Sequence, residues 1–154
     1  MRYWIEVSSG DWAWIEKIHY KTQEEKRGLK APARNKYISM FEKISSGDIL
    51  FTYLTVSLTQ NKKWQGSLVG VSKIEGSYYQ TGSTIRFDTI DDLELPEPIK
   101  FSDFKNLKDF SPFVKKAIRM RMQSYLFEIE YEDVKILLKF HQKNHKFFTK
   151  FLLQ

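Results

Sequence analysis

Alternation of apolar and polar positions dominates the first half of the chain. Tyr3, Ile5 and Val7 alternate with Arg2, Trp4 and Glu6, which predicts a strand over residues 2–7. Ser8-Ser9-Gly10-Asp11 interrupts it, and Asp11 is suited to accept the free amide hydrogens of a helix's first turn. Trp12, Ile15, Ile18 and His19 then recur at helical spacing, giving an amphipathic helix over 12–21. Pro32 pushes the residue before it toward extended geometry, so Lys30-Ala31-Pro32 reads as a loop. A second short helix over 35–43 follows, with Tyr37, Met40, Phe41 and Ile44 on one face.

The turn Ser45-Ser46-Gly47-Asp48 launches a strong strand over 48–55, and Ser67–Ile74 is another. Between them, residues 59–66 read as a hairpin tip bearing Lys62, Lys63 and Trp64. Thr84–Leu95 is a third long strand, ended by Pro96 and Pro98. Phe101-Ser102-Asp103-Phe104 and Ser111-Pro112-Phe113 each open a short helix, and Tyr125–Ile129 is a short strand. Val134, Leu137, Leu138 and His141 mark a last helix, with acids at its start and lysines toward its end. Three strands in series without helical crossovers predict an α+β fold, a mixed and partly antiparallel β-barrel surrounded by helices.

Composition narrows the class. A chain of 154 residues makes one domain, 1–154, with a real core. The absence of cysteine excludes disulfides and thiolate metal sites. No signal peptide and no long apolar run is visible, so a soluble cytoplasmic protein is expected, and a monomer. Charge is unevenly spread. Residues 21–63 and 115–154 each hold nine Lys/Arg against four Asp/Glu, whereas 88–109 hold seven acids against three bases. Such polarisation is the footprint of a polyanion binder, or of a lysine-rich solvated surface.

Catalytic motifs are missing: there is no nucleophile elbow, P-loop, dinucleotide glycine pattern or zinc-protease helix. His141 and His145 share a helix face but lack a third ligand, and Asp91, Asp92 and Glu94 alternate along a strand. No enzyme, metal or cofactor is expected. Rings and small polar groups at strand ends instead fit recognition of a nucleobase, by stacking worth about 1–3 kcal/mol per ring and by edge contacts. Tyr53 and one of Tyr78/Tyr79 could equally be core rings, as alternation predicts.

Several blocks, in order, resemble the EVE domain of the PUA-like superfamily, a relative of the YTH domain. They are Tyr3-Trp4-Ile5 through Ser8-Ser9, Lys30-Ala31-Pro32 with Arg34-Asn35, Gly47-Asp48 before an aromatic strand, and Val69-Gly70-Val71. The resemblance implies a barrel-mouth pocket for a modified, flipped base in DNA or RNA. Ser8 and Ser9 would supply base-edge contacts, Lys30, Ala31 and Pro32 a wall, and Tyr78 and Tyr79 an aromatic wall. Tyr53 would bound the same pocket, with Arg86 at its rim and Tyr79 the favoured inward ring. Phosphate contacts fall to Arg34, Lys36, Lys62, Lys63 and Trp64. The family places a tryptophan near Leu29 or Lys30, which this chain lacks, so neither a full aromatic cage nor N6-methyladenine is implied. The alternatives are a less selective PUA-like RNA-binding module and a small-molecule or nucleotide sensor.

Overall fold

In the computed structural model the described residues are 1–10, 14, 28–104, 115, 125–138, 143–146 and 149. The expected strands form, several of them longer than predicted. β1 (Tyr3–Gly10), β3 (Ile49–Leu58), β4 (Ser67–Thr81) and β5 (Thr84–Lys100) are joined by two short strands, β2 (Leu29–Pro32) and β6 (Leu126–Ile129). Helices α1 (Asn35–Phe41), α2 (Phe101–Phe104) and α3 (Tyr131–Leu138) lie between or after them. The helix expected over 12–21 and that at Ser111 fall outside the described residues, except that Trp14 and Lys115 are helical.

One six-stranded sheet results, in the order β2-β5-β4-β3-β1-β6. β1 runs parallel to β3, and the other pairings are antiparallel. The expected pairing of the 48–55 and 67–74 segments in one sheet with the first strand is therefore observed. The expected closed barrel is not: β2 and β6 are the two ends of the sheet and do not pair. Side chains meet across that seam instead. The Tyr125 hydroxyl donates to the Lys30 carbonyl, and the Tyr125 ring packs edge-on against Tyr37 of α1.

Two apolar layers follow from strand alternation. On the concave side, Trp4, Leu29, Leu50, Ile74, Phe87 and Leu126 form one cluster drawn from all six strands, and Phe41 of α1 plugs it. On the convex side, Tyr3, Ile5, Ile49, Phe51, Phe127 and Ile129 pack beneath Val134 and Leu137 of α3. Val134 and Leu137 of the expected α3 face are buried as their spacing predicts, His141 and the Leu138 side chain lying outside what is described, and the α1 face was read correctly.

Strand ends explain where the sequence misled. β5 does not stop at Pro96 and Pro98, because residues 95–98 bulge between the pairs Gly70–Glu94 and Leu68–Ile99. β2 reaches only Leu29 to Pro32 and pairs with Thr84–Phe87, so no neighbouring strand needs the missing proline N–H groups. Lys30 to Pro32, read as a loop, is that edge strand.

Asp48 ties the sheet's start together. Its buried carboxylate accepts from the Arg2 amide (2.9 Å), the Trp4 indole (3.0 Å) and the Ser45 amide (2.9 Å). Its carbonyl accepts from Ile74 N at 2.9 Å, and Gly47, at φ +90°, turns the chain to allow it. Asp48→Ala would strand these donors, each unpaired group costing about 1–3 kcal/mol. A loss of about 3–5 kcal/mol is expected in urea unfolding, with a smaller loss for Asp48→Asn, which keeps one acceptor.

Burial also sets an alkaline limit. Tyr53 lies in the convex core against Phe101, and desolvation pushes its phenol up to about 12. Burial raises Tyr125 as well. The neutral phenol is the favoured form in the folded state, so its stabilisation is complete below the free value of about 10 and fades as pH climbs toward 12. Unfolding free energy should fall from pH 10 to 12, and more steeply in the parent than in Tyr53→Phe. Parallel curves would show that Tyr53 does not contribute.

Candidate nucleic-acid interface

The residues expected to bound one pocket fall into three places. Tyr53 is a core ring on the convex layer. Its strand alternates, and the even positions Leu50 and Leu54 take the concave side, so Tyr53 cannot line a concave pocket. Trp64 is likewise not an exposed tip ring. It is 7% exposed, packs with Trp14, Leu54 and Val69, and donates its indole N–H to Glu94 at 3.3 Å.

The Tyr78/Tyr79 pair divides in the opposite sense from that favoured. A β4 irregularity lies between the pairs Glu75–Asp88 and Tyr79–Arg86, with Gly76 at φ +69°. Tyr78 is turned inward against Phe41 and Phe87, with ring centroids 6.1 and 5.9 Å away. Tyr79 faces outward and is 41% exposed. Lys30, Arg86 and Tyr79 are register partners, and so share one face. Their neighbours Leu29, Ala31, Ile85 and Phe87 point the other way, into the concave cluster. Thus Lys30, Pro32, Arg86 and Tyr79 come together on the convex face, while Ala31 is buried beneath them.

Ser8 lies elsewhere. It pairs with Leu54 on the concave side, and β1 continues through Ser9 to Gly10 rather than ending. In the same direction along that face run Glu6, Thr52 and Gly70, linked in one register row, with Ser72 beside Leu50. This belt of small and polar residues separates the concave apolar cluster from the smaller cluster of Trp14, Leu54, Trp64 and Val69. Trp14 lies directly on Gly70, where a Cβ would overlap its ring. Sequence reasoning missed Trp14, because the helical spacing followed Trp12, Ile15 and Ile18. The signal was Gly70 itself, a glycine inside a strand, which marks close approach of another group.

Three of the five buried side-chain polar atoms without a partner among the described residues lie in or against this belt. Thr52 Oγ1, Ser72 Oγ and Trp14 Nε1 are buried and make no hydrogen bond among the described residues. Buried polar groups are nearly always paired, so three on one concave face form a set able to meet a polar-edged flat ligand beside an indole.

Cations surround the fold's rim. Lys62 and Lys63 are exposed on the β3–β4 loop. Lys100 braces that loop from below, its ammonium donating to the carbonyls of Lys62 (3.0 Å), Lys63 (2.9 Å) and Gln65 (3.2 Å). Arg34 and Lys36 are exposed at the start of α1, where Ala33 N donates to Ser83 O of the β4–β5 turn at 2.8 Å. No helix among the described residues is long and apolar enough to cross a membrane.

No family model matches the chain, and no curated protein does. Solved structures match its fold. Rpa0253 from Rhodopseudomonas palustris overlays with a TM-score of 0.60 at 18% identity, covering 90% of this chain and 92% of that one. Atu2648 from Agrobacterium tumefaciens gives 0.56 at 16% identity, covering 90% and 92%. The N-terminal domain of Staphylothermus marinus McrB gives 0.59 at 11% identity, covering 90% and 94%. At these identities the likeness establishes a common fold: a mixed sheet with helices, spanning nearly the whole of each chain.

Proposed function

We propose that the chain is a non-enzymatic nucleic-acid-binding domain that receives a modified base, turned out of its stack, against the concave polar belt. The carrying observation is the set Thr52 Oγ1, Ser72 Oγ and Trp14 Nε1, buried without protein partners beside an indole face. A flipped base must recover a few kcal/mol of lost stacking, which takes a ring and matched polar edges. Trp14 offers the ring, and Thr52, Ser72 and Ser8 offer edges that both donate and accept. The resemblance to EVE domains and the basic regions of the sequence point to the same ligand class. Arg34, Lys36, Lys62 and Lys63 supply phosphate contacts, whereas Trp64 serves as the buried prop of its loop.

The test uses fluorescence anisotropy with oligonucleotides that carry a panel of modified bases or none, at fixed salt. A reader shows a modification-dependent affinity ratio, and a chain that binds all of them equally is not one. Thr52→Val removes only a hydroxyl, so it should reduce the preference by about 2- to 12-fold, the range of one hydrogen bond. It should leave thermal stability unchanged or raised, because it also removes an unpartnered buried oxygen. Lost stability with the preference intact would make Thr52 structural.

Phosphate contact has a separate signature. Each phosphate neutralised on a single strand contributes about 0.7 to the slope of log affinity against log salt. Lys62→Glu/Lys63→Glu should therefore flatten that slope by about 1.4 and weaken modified and unmodified strands alike. An unchanged slope would show that the loop is merely solvated.

A further inference from the structure

Among the described residues, α3 packs on the convex face in one cluster with residues of β1, β3, β4, β5 and β6. Away from that cluster, at β2, the start of β5 and the end of β4, lies a cross-strand row with one residue from each strand in register: exposed Lys30, half-buried Arg86 and Tyr79, 41% exposed. The Arg86 guanidinium carbon sits 5.5 Å from the centre of the Tyr79 ring. Asp88, two residues along β5, accepts from the Tyr79 hydroxyl at 2.8 Å and lies 3.8 Å from Arg86. Both partners of the cation–ring pair are thereby tethered by one carboxylate. Pre-setting the two planes lowers the side-chain entropy lost when a ligand stacks on them.

The geometry points to a second nucleic-acid contact on this convex face, separate from the concave belt: a stacking platform for an unpaired nucleotide of single-stranded DNA or RNA. A phenol backed by a guanidinium and held by a carboxylate presents a flat, sequence-tolerant ring face of the kind that unstacked bases occupy. The charge around it suits a polyanion. Lys30 ends the row, and Arg34 and Lys36 stand where α1 is fixed to the β4–β5 turn by Ala33 N–Ser83 O. Asp88 is half-buried and already engaged by Tyr79 and Arg86, so its charge is turned into the pair. This platform shares with the concave belt only the premise of a nucleic-acid ligand. It would hold a nucleotide flanking the one that the belt receives, and it would not select among modifications.

Anisotropy with fluorescein-labelled oligothymidylate, and with the same strand carrying one modified base, tests the platform. Tyr79→Ala is expected to weaken both by the same factor, about 5- to 150-fold, leaving their ratio unchanged. Tyr79→Phe, which keeps the ring and loses the Asp88 bond, should retain most of the affinity. If Tyr79→Ala lowers the unfolding midpoint, Lys30→Glu at the exposed end of the row replaces it, with weaker binding of both strands expected. Parent-like binding by these variants would overturn the platform. So would a changed ratio, which would place Tyr79 with the modification-reading belt. Polyglutamate competing as well as oligothymidylate would overturn it too, assigning the face to acidic peptides. Failure of Thr52→Val to alter the ratio sinks the belt alone and leaves the platform standing.

Discussion

A single buried carboxylate sets the frame on which everything else hangs. Asp48 joins the first residues of β1, the turn before β3 and the middle of β4, three segments distant in sequence. A charge taken out of water is tolerated only when hydrogen bonds replace its hydration. Here three N–H groups do so, one of them the Trp4 indole. That bond also fixes the ring of Trp4 in the concave cluster, so the polar hub and the apolar layer specify one arrangement. With β1 locked parallel to β3, the row Glu6–Thr52–Gly70 is brought into register, and the polar belt is a consequence of that alignment.

Curling rather than closing gives the sheet two usable faces. A fully paired barrel would bury its interior and offer sites only at its ends. This sheet leaves β2 and β6 apart and spans the gap with α1 and with the Tyr125–Lys30 bond. The concave side can then carry both core and unpartnered polar groups. The convex side packs against α3 at one end, and at the other Lys30, Arg86 and Tyr79 align with the Tyr79 ring exposed.

Much of this was legible in the sequence, and the failures share a cause. Strands over 48–55 and 67–74, the α1 face and the α3 face all follow from period alone, because each buries one side. Rings were harder. Tyr53 and Trp64 look alike to composition as binding residues or core, and burial decided for core in both. Tyr78 and Tyr79 were expected to point opposite ways, and they do, but Tyr78 and not Tyr79 faces inward, on the side of Ile74. Alternation carried from Ile74 gives that side for Tyr78, and the choice of Tyr79 failed because its pairing with Arg86 sets it on the other face. The two prolines of β5 misled for a related reason, since a strand with one unpaired edge has no use for the N–H groups they lack.

Hydrogen-bond satisfaction, more than residue type, separates the residues that brace this fold from those that do not. Trp14 and Trp64 pack in one cluster, yet the Trp64 indole is paired to Glu94 while that of Trp14 is not. Lys62 on the β3–β4 loop and Lys100 at the end of β5 are the same residue type, yet Lys100 is consumed by three carbonyls and Lys62 faces solvent. In each pair the satisfied member holds the scaffold, and under the proposed function the other meets the ligand. Hydrogen-bond satisfaction is settled by neighbours from distant strands, which is why these roles emerge only once the register of the sheet is known.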